Sequence, residues 1–214
     1  MRVDPDGRTV QGVTVLILFA VLNVLFLITC LPVVTIGAAT SSLLEVTHRY
    51  ADDERGDLVR GYLAALRRNL GRGTLVFLAL GVPAVMLVFS AVFWFSLDGI
   101  LTAVAGGLSA LGAAFVLAAL LYGLALVGTH LAPLRQTLRN ALLLPLAEPA
   151  RTGALVLIPL TGLLLLYVWP ASWVLAVTVG FSVGAYFQAL VLRGVFARQS
   201  GAAPSGPVSP HSGE

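Results

Sequence analysis

The sequence contains no lysine, so all thirteen of its basic residues are arginine. It has one cysteine, Cys30, set inside an apolar run. A lone cysteine excludes an intramolecular disulfide and any multi-cysteine zinc site, and reads as a small buried hydrophobe. Charge is scarce too: charged residues are 11% of the chain and hydrophobic ones 58%, where an ordinary soluble domain carries about 25% charge. A soluble fold of 214 residues keeps much of its surface wet and has nowhere to hide that much apolar area. Catalytic signatures are also missing. There is no glycine-rich phosphate loop, no histidine pair at metal-binding spacing and no Gly-x-Ser-x-Gly elbow. The three histidines, His48, His130 and His211, stand far apart. No cofactor, no metal site and no enzymatic activity are expected. Although the net charge is +3, the arginines are spread over linkers between apolar runs, which argues against nucleic acid as a partner.

What is present is long apolar runs and a mean hydropathy of +0.94. Crossing the hydrocarbon layer takes about twenty apolar residues in a helix. Five runs qualify or come close: Val13–Leu31, Thr74–Leu97, Ile100–Val127, Gly153–Trp169 and Ser172–Leu192. Pro83 and Pro159 fall inside runs, where packed neighbours accommodate a kink. Trp94, Trp169 and Trp173 sit near run ends, as interfacial aromatics do. Asp98-Gly99 and Pro170-Ala171 separate paired runs and read as hairpin turns on the arginine-free side. The first run is too long for the core of a cleavable signal, so it is expected to remain as a membrane helix that also directs targeting. The expected fold class is therefore all-α, a polytopic membrane helix bundle occupying residues 13–198. Residues 1–12 form a cytoplasmic N-terminus and 199–214 a disordered tail.

The stretch Ala38–Tyr50 decides the number of crossings. Pro32 and Gly37 punctuate the chain ahead of it, so the stretch either lies at the interface or returns as a short sixth helix. With five crossings, Arg2 and Arg8 face the side opposite the other eleven arginines. With six, all thirteen share one side. Because basic residues mark the cytoplasmic side, six helices with both termini cytoplasmic is the expectation. Pro32, Thr35 and Gly37 are assigned to a structural turn, with Gly37 free to adopt positive φ.

Two linkers carry amphipathic patterns. After Asp57, an expected N-cap, Leu58, Val59, Tyr62, Leu63, Leu66 and Leu70 share a face opposite Arg60, Arg67 and Arg68. That pattern predicts an interfacial helix whose arginines meet anionic headgroups of the bilayer. A shorter version sets Leu134, Leu138 and Ala141 against Arg135 and Arg139. The strings Leu66-Arg-Arg-Asn-Leu70 and Leu138-Arg-Asn-Ala-Leu142 are similar, which fits either a twofold repeat or chance likeness of two arginine-bearing linkers. Asp52, Asp53, Glu54 and Asp57 read as a solvated mixed-charge turn beside Arg49, Arg55 and Arg60, not as a cation site. His130 reads as interfacial.

Three polar residues fall in apolar surroundings. Glu45 lies in the short sixth helix, where a carboxylate is costly without a partner. It reads either as a ligand in the bundle interior or as a headgroup-level residue paired with Arg49 one turn later. Asn23 and Gln188 either line a polar cavity or bond a neighbouring helix. Ala176, Gly180, Gly184 and Gln188 recur every four residues, a stripe that lets a helix or a partner approach closely.

One resemblance stands out. Asn23-Val-Leu-Phe-Leu-Ile-Thr-Cys-Leu-Pro32-Val-Val-Thr35-Ile-Gly37, with Asp52-Asp-Glu-Arg-Gly56 and Leu66-Arg-Arg-Asn69, resembles the YesL-like family of uncharacterised bacterial membrane proteins. The likeness extends faintly through Leu138-Arg-Asn140-Ala141 and Ala185-Tyr-Phe187. Ala38 and Tyr62 depart from it, where the family often has proline and phenylalanine. The resemblance implies a multi-pass protein often encoded near carbohydrate uptake and degradation systems, and implies no catalytic residue. The functional expectation is an accessory membrane component of carbohydrate uptake or utilisation, partnered by the bilayer and a carbohydrate transport complex. The alternative is a small solute transporter with a cavity near Glu45, Asn23 and Gln188.

Overall fold

A computed structural model describes residues 8–52, 57–129 and 132–201. Among them it contains seven helices and no strand. They are α1 (Arg8–Cys30), α2 (Ile36–Ala51), α3 (Leu58–Phe95), α4 (Ile100–Thr129), α5 (Leu134–Ala147), α6 (Pro149–Val168) and a composite α7. This last helix opens over Trp173–Leu175, widens into a π-helix over Ala176–Gly180 and continues over Phe181–Gly201. Five helices are long and apolar enough to cross a membrane: α1, α3, α4, α6 and the segment Pro170–Arg193. The chain is an all-α bundle of the multi-pass membrane type. Its outward leucines, valines and phenylalanines are exposed because lipid is their solvent.

The stretch expected to return as a sixth membrane helix forms α2, sixteen residues and roughly 24 Å long, which is not among the five helices long and apolar enough to cross a membrane. It is buried at the centre of the bundle by α3, α4 and α7. Small residues make this possible. A Cβ on Gly37 would stand 2.3 Å from the Gly73 carbonyl oxygen, and one on Gly73 would stand 2.8 Å from the Ala38 Cα. Gly128 of α4 closes on α2 from another side, since its Cβ would lie 2.6 Å from the Ser41 carbonyl oxygen. The polar side chains of α2 turn back on their own helix. Ser41, Ser42 and Thr47 donate to the carbonyls of Gly37, Ala38 and Leu43 at 2.8, 2.7 and 2.8 Å. Around this axis lie Leu22, Leu43, Leu44, Tyr62, Val76, Tyr122 and Leu126.

Two expectations are corrected. Gly37 is not a positive-φ residue: it lies inside α2, and its smallness serves the contact with Gly73. Among the described residues Gly99, φ +134°, is the positive-φ glycine, in the turn between α3 and α4, where a side chain would be strained. Nor is Asp57–Leu70 a separate interfacial helix. Its residues begin one continuous helix of 38 residues, whose buried positions Leu58, Tyr62, Ala65, Asn69, Gly73 and Val76 keep one phase across Gly71 and Gly73. Of the face expected to meet lipid, Leu58 and Tyr62 are buried in the bundle, while Leu63 and Leu70 stay exposed. Its counterpart in the other linker, α5, is a helix of its own, so the two similar strings stand in different settings.

The helix ends overrun the apolar runs. α1 starts at Arg8, ahead of Val13, and α7 runs to Gly201, past the boundary expected at Gln199. The small-residue stripe of α7 is split by the π-helix, and Gly184 packs toward Ile158 of α6. Asp53, Glu54, Arg55, His130 and the rest of the tail from Ala202, with His211, lie outside the described residues, as does Arg2.

Candidate functional site

The polar centre of the molecule is built by α2 and α3. Their antiparallel packing, set by the Gly37–Gly73 contact, brings Glu45 opposite Arg68 and Asn69. Glu45 is only 5% exposed. Its carboxylate accepts from the Arg68 guanidinium, accepts from Asn69 Nδ2 at 3.0 Å and stands 3.7 Å from Arg49 Nη1. Asn69 Nδ2 also lies 3.4 Å from Ser42 Oγ. Two guanidiniums and an amide thus take the place of hydration around this buried carboxylate. Both arginines keep about half their side-chain surface exposed, 50% for Arg68 and 54% for Arg49, so their stems cross the boundary between the bundle and its outside. Arg68, expected at the membrane surface with Arg60 and Arg67, thus turns inward. Arg60 stays outside at 3.3 Å from Asp57, and Arg67 is exposed.

A second network joins α1 to α7. Asn23 Nδ2 donates to the carbonyls of Ala176 and Val177 at 3.2 and 2.5 Å, and its Oδ1 accepts from the Ser182 amide at 3.0 Å. Ser182 Oγ donates to the Phe19 carbonyl at 2.9 Å. The π-helix displaces the regular backbone ladder of α7, and Asn23 supplies partners to both sides of it. Glu45 and Asn23 therefore sit in separate networks that share no residue. Gln188, 8% exposed, is buried on α7.

The Pro32–Gly37 segment is a turn held by side chains. After Pro32 ends α1, a short 3-10 helix runs over Val33–Thr35. The Thr35 hydroxyl lies 2.5 Å from the Thr29 carbonyl oxygen and 2.7 Å from that of Pro32. Thr74 of α3 donates to the Val34 carbonyl at 3.0 Å, and Thr29 Oγ1 meets Tyr62 Oη at 2.5 Å. The phenolic oxygen that sets Tyr62 apart from a phenylalanine thus ties α1 to α3.

Several polar contacts gave no motif in the sequence. Arg193, in the last part of α7, reaches the Asp52 carboxylate at 2.7 Å and the Ala51 carbonyl at 2.6 Å, closing the C-terminus of α2. Asp52 also faces His48 at 3.6 Å, and Asp57 caps α3 by accepting from the amides of Val59 and Arg60. Arg72 donates to the Ala132 carbonyl at 2.7 Å. Tyr122 Oη and Thr152 Oγ1 bond at 3.1 Å beside the Glu148–Arg151 pair. The signal available for Arg193 and Arg72 was position alone: each is an arginine flanking an apolar run.

An apolar groove of about 360 Å³, lined by Ala20, Val21, Val24, Leu25, Ile28 and Val59, opens between α1 and the start of α3. Among the described residues, no three histidine, cysteine, aspartate or glutamate side chains gather as metal ligands.

Residues 19–91 match the family described as "Protein of unknown function, DUF624", and the YesL-like resemblance is consistent with it. The matched segment carries the second half of α1, the Pro32 turn, α2 and α3 as far as Ala91, and so includes Asn23, Glu45, Arg68 and Asn69. No curated protein and no solved structure matches the chain.

Proposed function

We propose that this multi-pass protein, whose residues 19–91 match an uncharacterised family, is a non-enzymatic accessory component of the cell membrane working with a carbohydrate uptake or utilisation system. The observation that carries the non-enzymatic part is how the interior polar groups are used. Asn23, Glu45, Asn69 and Ser182 are all buried and all bonded to a neighbouring helix. Polar side chains used in this way join helices and hold the bundle in one arrangement. The carbohydrate system comes from the YesL-like resemblance. Arg60 and Arg67 are exposed and offer a cationic face at which a partner docks, on the cytoplasmic side by the distribution of basic residues.

Mild solubilisation, affinity capture of the tagged chain and identification of co-purifying proteins test this reading. Subunits of a carbohydrate uptake machine, enriched over an unrelated membrane bait, are the expected result. Their absence from captures made while the cells use the sugar would overturn it.

One observation favours a second reading, a small solute permease. π-helices occur often at functional sites, and the one in α7 faces Asn23. Sugar flux into vesicles containing this protein alone would establish the permease and displace the accessory role.

A further inference from the structure

α5 carries its charges and its exposed apolar side chains on a single face. Arg135, Arg139, Leu142, Leu143 and Leu146 follow one another at helical spacing and are all exposed. Thr137, Ala141, Leu144 and Pro145 on the opposite face are buried. The outer face is therefore divided along its length, with arginines in the first half and leucines in the second.

Two contacts give the direction of this division. Just ahead of α5, the Ala132 carbonyl is held by Arg72, two residues before the apolar run of α3 opens at Thr74. Farther along, a Cβ on Gly123 of α4 would lie 2.9 Å from Val76 Cγ1 and 3.4 Å from Ala141 Cβ. Gly123 lies four residues before the end of the apolar run of α4 at Val127, and Val76 two residues into that of α3. α5 thus turns back along α4, its arginine half near the start of the apolar layer and its leucine half deeper within it. From Arg139 to Leu146 the helix advances roughly 10 Å.

No acidic residue occurs between Asp98 and Glu148 in the sequence, and Glu148 itself faces Arg151 at 3.9 Å. On α3, by contrast, Arg60 has Asp57 and Arg68 has Glu45. Arg135 and Arg139 have no carboxylate within reach among the described residues.

We propose that the outer face of α5 binds one anionic phospholipid, with its phosphate between Arg135 and Arg139 and an acyl chain along Leu142, Leu143 and Leu146. The guanidinium fork matches phosphate oxygens. The leucines that continue the same face select an amphiphile over an acidic protein segment, which would leave them uncovered. The site goes beyond the accessory reading and stands whether or not an uptake system is the partner.

The test uses the full-length protein in neutral detergent, with lipid binding read by native mass spectrometry and thermal unfolding. Phosphatidylglycerol, phosphatidylcholine of the same chain length and soluble glycerol phosphate are compared. Phosphatidylglycerol should bind and raise the unfolding temperature more than phosphatidylcholine does, and glycerol phosphate should bind far more weakly. Arg135→Gln/Arg139→Gln should weaken phosphatidylglycerol binding about thirtyfold, at about 1 kcal/mol per arginine. Arg135→Lys/Arg139→Lys should keep part of the preference, and Arg60→Gln should leave it unchanged. The double glutamine variant replaces exposed side chains, so its unfolding temperature without lipid should match the parent. Retention of phosphatidylglycerol preference by that variant would overturn the proposal, as would glycerol phosphate binding as tightly as the lipid. Loss of a co-purifying acidic protein with lipid binding intact would mark the face as a protein dock and overturn it equally.

Discussion

Glu45 and its charged partners differ in burial. The carboxylate is buried, whereas Arg68 and Arg49, its charged partners, are each about half exposed. Removing one member of a buried pair costs most when the member left behind is the buried one. In Glu45→Ala both arginines can reach water, so the loss is that of their hydrogen bonds and the local packing, about 1–2 kcal/mol. In Arg68→Ala the carboxylate stays buried with Asn69 and the more distant Arg49, and the cost should reach about 3 kcal/mol. Thermal unfolding in detergent should therefore rank Arg68→Ala below Glu45→Ala. The reverse order would mean that Glu45 is not confined in the membrane-embedded protein. The sequence made Glu45 conspicuous, since an acid among apolar neighbours invites a question. It gave Arg49 as a partner because four residues make one helical turn. Arg68 could not be read the same way, because the pairing crosses between helices and depends on how closely α2 approaches α3.

That approach belongs to the scale of elements, and there glycine decides it. Gly37 and Gly73 let two backbones touch, so even alanine at 37 would place its Cβ 2.4 Å from Phe77 Cβ. Overpacking costs about 1–3 kcal/mol where side chains can give way, and more where backbone is the obstacle. Gly61, on the same α3, is different: a Cβ there would meet only Val46 Cγ2, at 3.8 Å. Gly37→Ala should therefore lower the unfolding temperature markedly. Gly61→Ala should raise it slightly, because alanine in a helix interior is favoured over glycine by about 0.5–1 kcal/mol. Equal stability of the two variants would show that α2 does not seat on α3 through glycine. The apolar runs foretold α1, α3, α4, α6 and α7 because length and hydropathy are local properties. The fusion of the basic linker with the membrane run in α3 was not legible. Glycines at 71 and 73 look like helix breakers in one dimension and turn out to sit in a continuous helix, one of them at a crossing. The π-helix left no sequence signal either, and Asn23 mid-run was the nearest hint of it.

At the scale of the molecule, the question is how the ends of the bundle are distributed across the membrane. α1 and α7 run antiparallel, since Asn23 meets Val177 while Phe19 packs on Tyr186, their ring centroids 5.8 Å apart. Phe19 also packs on Tyr50 near the end of α2, at 5.5 Å, and Arg193 binds Ala51 and Asp52 just beyond. The first part of α1, the end of α2, the start of α3 and the late part of α7 therefore gather at one end. Five long apolar helices alone would leave the two chain termini on opposite sides of a bilayer. A return of the chain through α2 would put them on the same side, and the arginine distribution asks for the same result. The prediction is that both termini face the cytoplasm. In a Cys30→Ser background, Gly7→Cys and Gly201→Cys should each resist an impermeant thiol reagent in intact cells and react after the membrane is opened. Labelling of Gly7→Cys in intact cells, with Gly201→Cys protected, would mean that α2 does not carry the chain back. Labelling of both would keep the shared side and invert the orientation, leaving the arginines outside against the positive-inside tendency.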